Sequence, residues 1–376
     1  MSVAKDAALL VGAPRSNVRG KLGRSTTVDT DTGELVGQTR PLLAVENLTK
    51  HFALKGGLLN RTKAVVQAVD GVSFDVQTGE TLGIVGESGC GKSTTARLLM
   101  HLIPPDIGSI VFDGLVVGAA DGGLSHRDLH RQMQMVFQES YASLNPRLPV
   151  AMSIAFGPLV HGLAKPAALK RAMKLLEAVG LDPMLFANRY PHELSGGQRQ
   201  RINIARALAL EPRIVILDEA VSALDKSVEA QVLNLLVDLK AQFDLTYVFI
   251  SHDLNVVRYI SDRVMVMYLG KVVEIGPVDH LYRDPQHPYT QALLSAMPSM
   301  DPRRRTLKAP LTGDPPNPIS PPSGCRFRTR CPFAEAVCET ASPALLAPPG
   351  EELRTVACHM RVPGSGHSRA ATVVSA

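Results

Sequence analysis

The chain lacks tryptophan, has few aromatic residues (5%) and contains only five cysteines in 376 residues. It also has no apolar run near the roughly 20 residues that span a bilayer, which excludes a transmembrane helix. Residues 7–11 form a poor secretory signal, because Asp6 adjoins them and Pro14 follows. We therefore expect a cytosolic chain. Its 45% hydrophobic and 20% charged residues exclude global disorder.

The middle of the chain has no excess of positive charge. The net charge is +5, yet residues 1–40 carry six basic and four acidic side chains, and residues 301–376 carry ten and six. Residues 41–300 carry 24 and 25. Since nucleic-acid binding favours a basic surface, the sequence does not support a basic nucleic-acid-binding core.

Periodicity predicts an α/β fold after a flexible leader at residues 1–40, which show neither helical nor strand patterns. Continuous apolar runs alternate with amphipathic segments, as in a parallel sheet covered by helices on both faces. The predicted strands are 42–45, 65–69, 72–76, 81–85, 134–137, 214–217 and 246–250, and the predicted helices are 92–101, 166–179, 197–210, 227–243 and 254–261.

A glycine-rich segment between a predicted strand and helix fits the pattern G-x-x-x-x-G-K-[ST]. Its glycines let successive N–H groups point at a phosphate, and the following helix adds its positive end. Lys92 would reach the β- and γ-phosphates, and the Ser93 hydroxyl would ligate Mg²⁺. The predicted nucleotide-binding residues here are Gly86, Glu87, Ser88, Gly89, Cys90, Gly91, Lys92, Ser93 and Thr94.

An apolar strand at 214–217 ends in two carboxylates, Asp218 and Glu219. The carboxyl edge of a parallel sheet is where α/β proteins place their active sites. Asp218 suits a contact with Mg²⁺, and Glu219 can polarise an attacking water. A hydrolase is favoured over a phosphotransferase, because Glu219 is a candidate for positioning water, whereas no residues indicate a pocket for a second substrate.

Residues 194–198 read LSGGQ and precede an arginine-rich helix. Physically, Ser195 and the glycines could form a second anion-binding nest or simply a helix N-cap. The order of phosphate loop, Gln138, LSGGQ, LDE, SALD and Ser-His resembles the nucleotide-binding subunit of ATP-binding cassette (ABC) transporters. That resemblance covers about residues 41–300 and implies a P-loop NTPase core with an antiparallel β subdomain and a helical subdomain.

The resemblance also implies a role for each matching residue. Phe52 would stack on adenine, although residues 56–63 form an open insertion after it. Gln138 would touch Mg²⁺ and the attacking water, His252 would bond the γ-phosphate, and Asp225 would lie in a loop that crosses a dimer interface. Three further contacts to ATP are implied for the second subunit of the dimer, from Ser195, Gly197 and Gln198. Lys226 departs from the family pattern, where an apolar residue is common.

In that family two ATPase subunits bind ATP between the phosphate loop of one and LSGGQ of the other, and they drive two transmembrane permeases from the cytoplasmic face of the membrane. The implied domains are an ABC ATPase at 41–285, with its helical subdomain at about 139–205, and a C-terminal extension at 286–376. Residues 141–147 and 287–290, together with a Pro- and Cys-rich tail, resemble the oligopeptide and dipeptide importers.

Those importers pair two different ATPases and take cargo from an external binding protein. Residues 199–201 and 221–225 resemble the second ATPase, which implies a heterodimer. Two alternatives stay open. One is a soluble ABC ATPase acting on nucleic acid or ribosomes, which the near-neutral middle and the lack of a long insertion disfavour. The other is an importer subunit for nickel or glutathione.

Four of the five cysteines lie in the last 52 residues, at Cys325, Cys331, Cys338 and Cys358. The segment around them is irregular and rich in proline, so we expect something other than a core to hold it. Structural zinc favours closer pairs, whereas a 4Fe–4S cluster tolerates wide spacing. The importer resemblance also points to an iron–sulfur cluster, with zinc and free buried thiols as alternatives. Cys90 is excluded as a ligand, because its neighbours wrap phosphate.

Overall fold

The computed structural model describes residues 27–28, 35–36, 40–56, 61–297 and 316–371. Contacts divide the chain into two units, Met1–Arg40 and Pro41–Ala376. Within the first unit, β1 (Thr27–Val28) pairs antiparallel with β2 (Leu35–Val36), where no strand was predicted. The other residues of the predicted flexible leader, apart from Arg40, lie outside the described residues.

A seven-stranded sheet forms the centre of the second unit, in the order β13-β12-β11-β5-β10-β9-β8. Strands β11, β5, β10, β9 and β8 run parallel; at one edge β12 pairs antiparallel with β11, and β13 pairs antiparallel with β12. Every residue of β5, β9 and β10 is buried, which explains their continuous apolar sequence. The strands are β5 (Thr81–Val85), β8 (Met133–Val136), β9 (Ile214–Asp218), β10 (Thr246–Ile250), β11 (Arg263–Tyr268), β12 (Lys271–Pro277) and β13 (Thr355–Val356).

A second, antiparallel sheet has the order β4-β3-β6-β7. The strands predicted at 65–69 and 72–76 belong to one long strand, β4. Gly71 between them adopts a φ of 69°, and the pairing with β3 shifts register there. The strands are β3 (Leu43–Gly56), β4 (Arg61–Val76), β6 (Ile107–Phe112) and β7 (Leu115–Val116).

The five predicted helices are present, each within two residues of its predicted ends. Helix α3 was not predicted, because it is apolar on most sides and contains Gly157 and Pro158. The helices are α1 (Lys92–Leu99), α2 (His126–Gln132), α3 (Val150–Val160), α4 (Lys165–Ala178), α5 (Pro183–Phe186), α6 (Gly196–Leu208), α7 (Lys226–Gln242), α8 (Leu254–Ile260), α9 (Val278–Arg283), α10 (Pro288–Ser295) and α11 (Ala336–Thr340).

The C-terminal extension packs onto the rest of the unit by burial. Its strand β13 pairs with β12 at the sheet edge, and Phe327, 2% exposed, belongs to the largest hydrophobic core. The expectation that something other than a core holds this segment is therefore wrong for its buried part. Across the described part of the chain, no helix has the length and apolar character to cross a membrane.

Candidate active site

The loop between β5 and α1 depends on two glycines for its path. Gly86 has a φ of 152°, and a Cβ there would lie 2.2 Å from the carbonyl oxygen of Met267. Gly91 has a φ of 107°, and its Cβ would lie 2.2 Å from the carbonyl oxygen of Ala68. Since a side chain at either position would displace backbone, the loop can curl this tightly only with glycine.

Lys92 begins α1 and turns its ammonium into the curl of that loop. Its Nζ donates to the carbonyl oxygens of Gly86 (2.8 Å) and Glu87 (3.1 Å). The residue is only 5% exposed. A buried ammonium inside a ring of backbone groups is placed to neutralise phosphate oxygens.

Ser93 and Asp218 meet across the end of the sheet. The Ser93 hydroxyl donates to Oδ1 of Asp218 at 3.0 Å. Burial raises the pKa of Asp218, because the ionised carboxylate loses water. Two oxygen ligands in a desolvated position fit the hard, oxygen-preferring Mg²⁺, whose charge would stabilise the ionised carboxylate.

Glu219, Gln138 and His252 come together at the carboxyl ends of adjacent strands. The Gln138 side-chain amide donates to Oε2 of Glu219 at 2.9 Å, and Nδ1 of His252 lies 3.4 Å from the same oxygen. Glu219 has a φ of 48°, and its N–H donates to the carbonyl of Ile250 at 2.9 Å. The end of β9 is thereby tied to β10. A carboxylate, an amide and an imidazole together can orient a water and sense a phosphate.

The LSGGQ segment lies at the start of α6. Ser195 is the N-cap, with a reciprocal capping box between its hydroxyl and the Gln198 N–H and between Gln198 Oε1 and the Ser195 N–H. A Cβ on Gly197 would lie 2.5 Å from Val228 on α7. The N-cap interpretation is confirmed, and Ser195 is also exposed at a helix N-terminus, where an anion can be bound.

Asp225 occupies the N-cap position of α7 and is exposed. The next residue, Lys226, pairs with Asp253 (2.9 Å) and Glu229 (3.0 Å). Asp253 follows His252 directly, so the Lys226–Asp253 pair joins the start of α7 to the turn that carries the histidine. From the sequence, Lys226 was noted only as a departure from the family pattern, and its pairs with Asp253 and Glu229 were not predicted.

Phe52 lies on β3 opposite Val66. Its side chain is 39% exposed, and the Lys50 ammonium lies 5.8 Å from the ring centroid. An aromatic ring with this exposure is available for stacking on a base. Part of the predicted open insertion, residues 57–60, lies outside the described residues.

Comparison with known proteins places these features in one family. The ABC transporter family model matches residues 69–222, and that of the oligopeptide/dipeptide transporter C-terminal region matches residues 273–338. A protein of Sinorhizobium fredii, described as a probable peptide ABC transporter ATP-binding protein (y4tS), is 51% identical over 86% of this chain and 91% of its own. The chain belongs to the ATP-binding subunits of ABC transporters.

Two more relatives support this family. The oligopeptide transport ATP-binding protein AppF of Bacillus subtilis is 47% identical over 85% of this chain and 97% of its own. The solved structure of CbiO1 from Clostridium perfringens, part of an ABC transporter complex, superposes with a TM-score of 0.55. It is 27% identical over 65% of this chain and 91% of its own. The predicted α/β fold and ABC resemblance are confirmed, and the chain is an ATPase of the ABC type.

The four C-terminal cysteines line one small cavity of about 20 Å³, together with His359 and His367. Burial raises the pKa of Cys325 to about 11 and that of Cys358 to about 12. Cys90 lies apart in the phosphate loop, with its sulfur 3.8 Å from the Lys92 ammonium. The four cysteines predicted as ligands therefore line the same cavity, and Cys90 is separate from them.

The spacing within this cavity bears on which group it could hold. Tetrahedral zinc with bonds of about 2.3 Å places its ligand sulfurs roughly 3.8 Å apart. Among the described residues, no group of three or more His, Cys, Asp or Glu side chains is close enough to hold a metal ion. This finding supports neither a zinc site nor an iron–sulfur cluster.

Tyr289 and Arg330 were missed by the sequence reasoning. Both lie in the C-terminal extension and both contact Glu87 of the phosphate loop. The resemblance to peptide importers marked the segment with Tyr289 for its family only. Nothing in the sequence pairs Arg330 with a residue 243 positions away.

Proposed function

We propose that this chain hydrolyses ATP to drive a membrane importer of di- and oligopeptides. The meeting of Glu219, Gln138 and His252 beside the Ser93–Asp218 pair carries the hydrolytic part of the proposal. The peptide part is supported by the match to the oligopeptide/dipeptide C-terminal region and by relatives about half identical over most of the chain that are named for peptide transport.

The residues divide the reaction between them. Lys92 would neutralise the β- and γ-phosphates, while Ser93 and Asp218 would hold Mg²⁺, which offsets charge on the phosphate oxygens when bound. Glu219 would accept a proton from the attacking water as the water oxygen bonds to the γ-phosphorus, while the bond from that phosphorus to the β–γ bridging oxygen breaks and ADP leaves. Gln138 holds the Glu219 carboxylate in place at 2.9 Å. His252 would donate to the γ-phosphate.

We propose that ATP binds between two subunits, with Lys92 of one and Ser195, Gly197 and Gln198 of the other. The exposure of Ser195 at the start of α6 supports this. The test is size-exclusion chromatography of the Glu219→Gln chain. Mg–ATP should shift it to a dimer, ADP should not, and adding Ser195→Arg should return it to a monomer. A dimer that persists with Ser195→Arg would refute the arrangement.

We propose that the physiological dimer contains a second, different ABC ATPase and binds two permease subunits at the cytoplasmic face of the membrane. Co-expression with a candidate second ATPase and two permeases should yield one complex. Recovery of only a homodimer with the permeases would refute the heterodimer. The alternative, a soluble ABC ATPase acting on nucleic acid or ribosomes, is disfavoured by the near-neutral charge of residues 41–300. It would be supported by co-purification with ribosomes.

The class of cargo can be tested on the external binding protein that would deliver it. Calorimetric titration of that protein with dipeptides, oligopeptides, Ni²⁺ and glutathione separates the cargo classes. We expect affinity for peptides. Affinity for Ni²⁺ or glutathione alone would refute the peptide cargo without affecting the ATPase assignment.

We propose that Cys325, Cys331, Cys338 and Cys358 hold a 4Fe–4S cluster, because all four thiols line one cavity. Protein purified without oxygen should be brown, with a broad absorbance that bleaches on reduction and about four irons per chain. A control variant with all four cysteines changed to serine should be colourless. Colourless wild-type protein with one zinc per chain would refute the cluster.

A further inference from the structure

Glu87 of the phosphate loop is held from outside the ATPase core. Its carboxylate accepts two hydrogen bonds from the Arg330 guanidinium, at 2.8 and 3.1 Å. Its N–H donates to the Tyr289 hydroxyl at 2.9 Å. Its carbonyl instead bonds within the loop, accepting from the Lys92 ammonium and the Cys90 N–H. The side chain and the N–H of Glu87 are therefore hydrogen-bonded to the C-terminal extension, whereas its carbonyl is hydrogen-bonded within the loop.

Arg330 is firmly placed. Its side chain is 5% exposed, its guanidinium lies 5.9 Å from the centroid of the Tyr268 ring, and one nitrogen donates to the Tyr268 hydroxyl at 3.4 Å. A two-bond pair between guanidinium and carboxylate fixes direction as well as distance. Because Arg330 is buried and packs on the Tyr268 ring, the pair has little conformational freedom. It can therefore fix the position of Glu87 in the loop.

The support beneath this pair is an aromatic cluster. The rings of Tyr268 and Tyr289 lie 4.6 Å apart, and Phe327 contacts both at 5.3 and 5.4 Å. Tyr289 is fully buried, which fixes the hydroxyl that accepts from Glu87. The cluster joins the end of β11, the start of α10 and the turn that carries Arg330.

The turn that carries Arg330 also contacts β4, the strand that packs against the phosphate loop. Arg326, 8% exposed, donates to the Leu269 carbonyl and to the side chains of Gln67 and Asp70. Residues 67–70 belong to β4, the strand whose Ala68 carbonyl abuts Gly91. Arg326 and Arg330 both lie between Cys325 and Cys331. One short turn thus contacts both the phosphate loop, through Arg330, and β4, through Arg326.

We propose that Arg330 is a positioning residue for nucleotide binding, which acts through Glu87 and makes the affinity of the phosphate loop depend on the turn between Cys325 and Cys331. In this proposal Arg330 acts through Glu87 and not by contacting the nucleotide. It holds Glu87 so that the Lys92 ammonium and the loop amides keep the curl that receives phosphate. The inference rests on the proposal that residues 86–94 bind the nucleotide.

The test is calorimetric titration of the full-length chain with Mg–ADP, which engages the phosphate loop without hydrolysis. Arg330→Ala should weaken binding about tenfold, as expected for losing a charge-assisted pair, and Arg330→Lys should recover part of the loss. Arg328→Ala is the matched control. Arg328 lies on the same turn but contacts Ser323 and Glu339, so its variant should bind within about twofold of wild type.

A double-mutant cycle separates positioning from general damage to the extension. If Arg330 acts through Glu87, the Glu87→Ala and Arg330→Ala double variant should bind Mg–ADP no more weakly than the weaker single variant. In the assembled transporter, Arg330→Ala should raise the KM for ATP and leave kcat within about twofold.

Three outcomes overturn the proposal: wild-type affinity in Arg330→Ala, losses that multiply in the double variant, or an equal loss in Arg328→Ala. If the wild-type chain itself fails to bind Mg–ADP, the proposed nucleotide site fails as well. Wild-type binding with an unaffected Arg330→Ala variant removes only the positioning role.

Discussion

Changing Glu219 to Gln should abolish most ATP hydrolysis while leaving nucleotide binding intact. The carboxylate is largely buried, 17% exposed, and accepts from the Gln138 amide. A glutamine can offer its own carbonyl oxygen to the same amide, so the local geometry should survive. The variant loses only the ability to accept a proton from water.

The expected size of the effect follows from that loss. General-base catalysis contributes about 10²–10⁴ to a rate, and each tenfold change corresponds to about 1.36 kcal/mol. The barrier should therefore rise by about 3–5 kcal/mol. The assay is phosphate release at saturating Mg–ATP by the assembled transporter, with the affinity for ATP measured separately by titration.

Glu211→Gln is a matched control for the same change. Glu211 also has a positive φ, 53° against 48° for Glu219, but it pairs at the surface with Arg171 and is 72% exposed. Its variant should hydrolyse ATP at the wild-type rate. A Glu219→Gln variant that retains a third or more of wild-type kcat would refute the assignment of Glu219 as the base.

Further predictions concern the adenine contact, the loop and the thiols. Phe52→Ala should weaken ATP binding about tenfold, as for loss of one stacking contact of 1–3 kcal/mol, and Phe52→Tyr should restore it; equal affinity in Phe52→Ala would remove the stacking role. Gly91→Ala should weaken Mg–ADP binding roughly tenfold or more, since strain of 1–3 kcal/mol is added and its Cβ meets backbone at 2.2 Å. Gly89→Ala, also at positive φ but with open space around it, should have the smaller effect, and the reverse order would contradict the packing argument. In metal-free, reduced protein, burial raises the pKa of Cys325 to about 11 and of Cys358 to about 12. Because the thiolate reacts, their alkylation followed by mass spectrometry should still accelerate above pH 9.5, where a model thiol has levelled off; an early plateau would contradict the burial.

Much of the α/β core could be predicted from the sequence, because its strands are continuous apolar runs and most of its helices are amphipathic, with apolar residues recurring at helical spacing. Strands 81–85 and 246–250 match the observed ends. The site residues on these elements were predictable for the same reason. Glu219 and His252 both lie close after parallel strands, and parallel strands end at the same sheet edge.

The remaining features depend on contacts that local pattern does not record. Helix α3 is mostly apolar without a polar face, so no helical period marks it. Strand β13 is two residues long and takes its structure from pairing with β12. The pairs Lys226–Asp253 and Arg330–Glu87 join residues that are adjacent only after folding.

Peptide-dependent ATP hydrolysis by the complete transporter tests the proposed function most directly. The two ATPases and two permeases would be reconstituted in liposomes, and phosphate release measured with the binding protein empty or loaded with peptide. The rate should rise with the peptide-loaded protein and fall to background when this chain carries Glu219→Gln. An ATPase rate that is the same with and without peptide, or one that Glu219→Gln leaves unchanged, would contradict a peptide importer powered by this site.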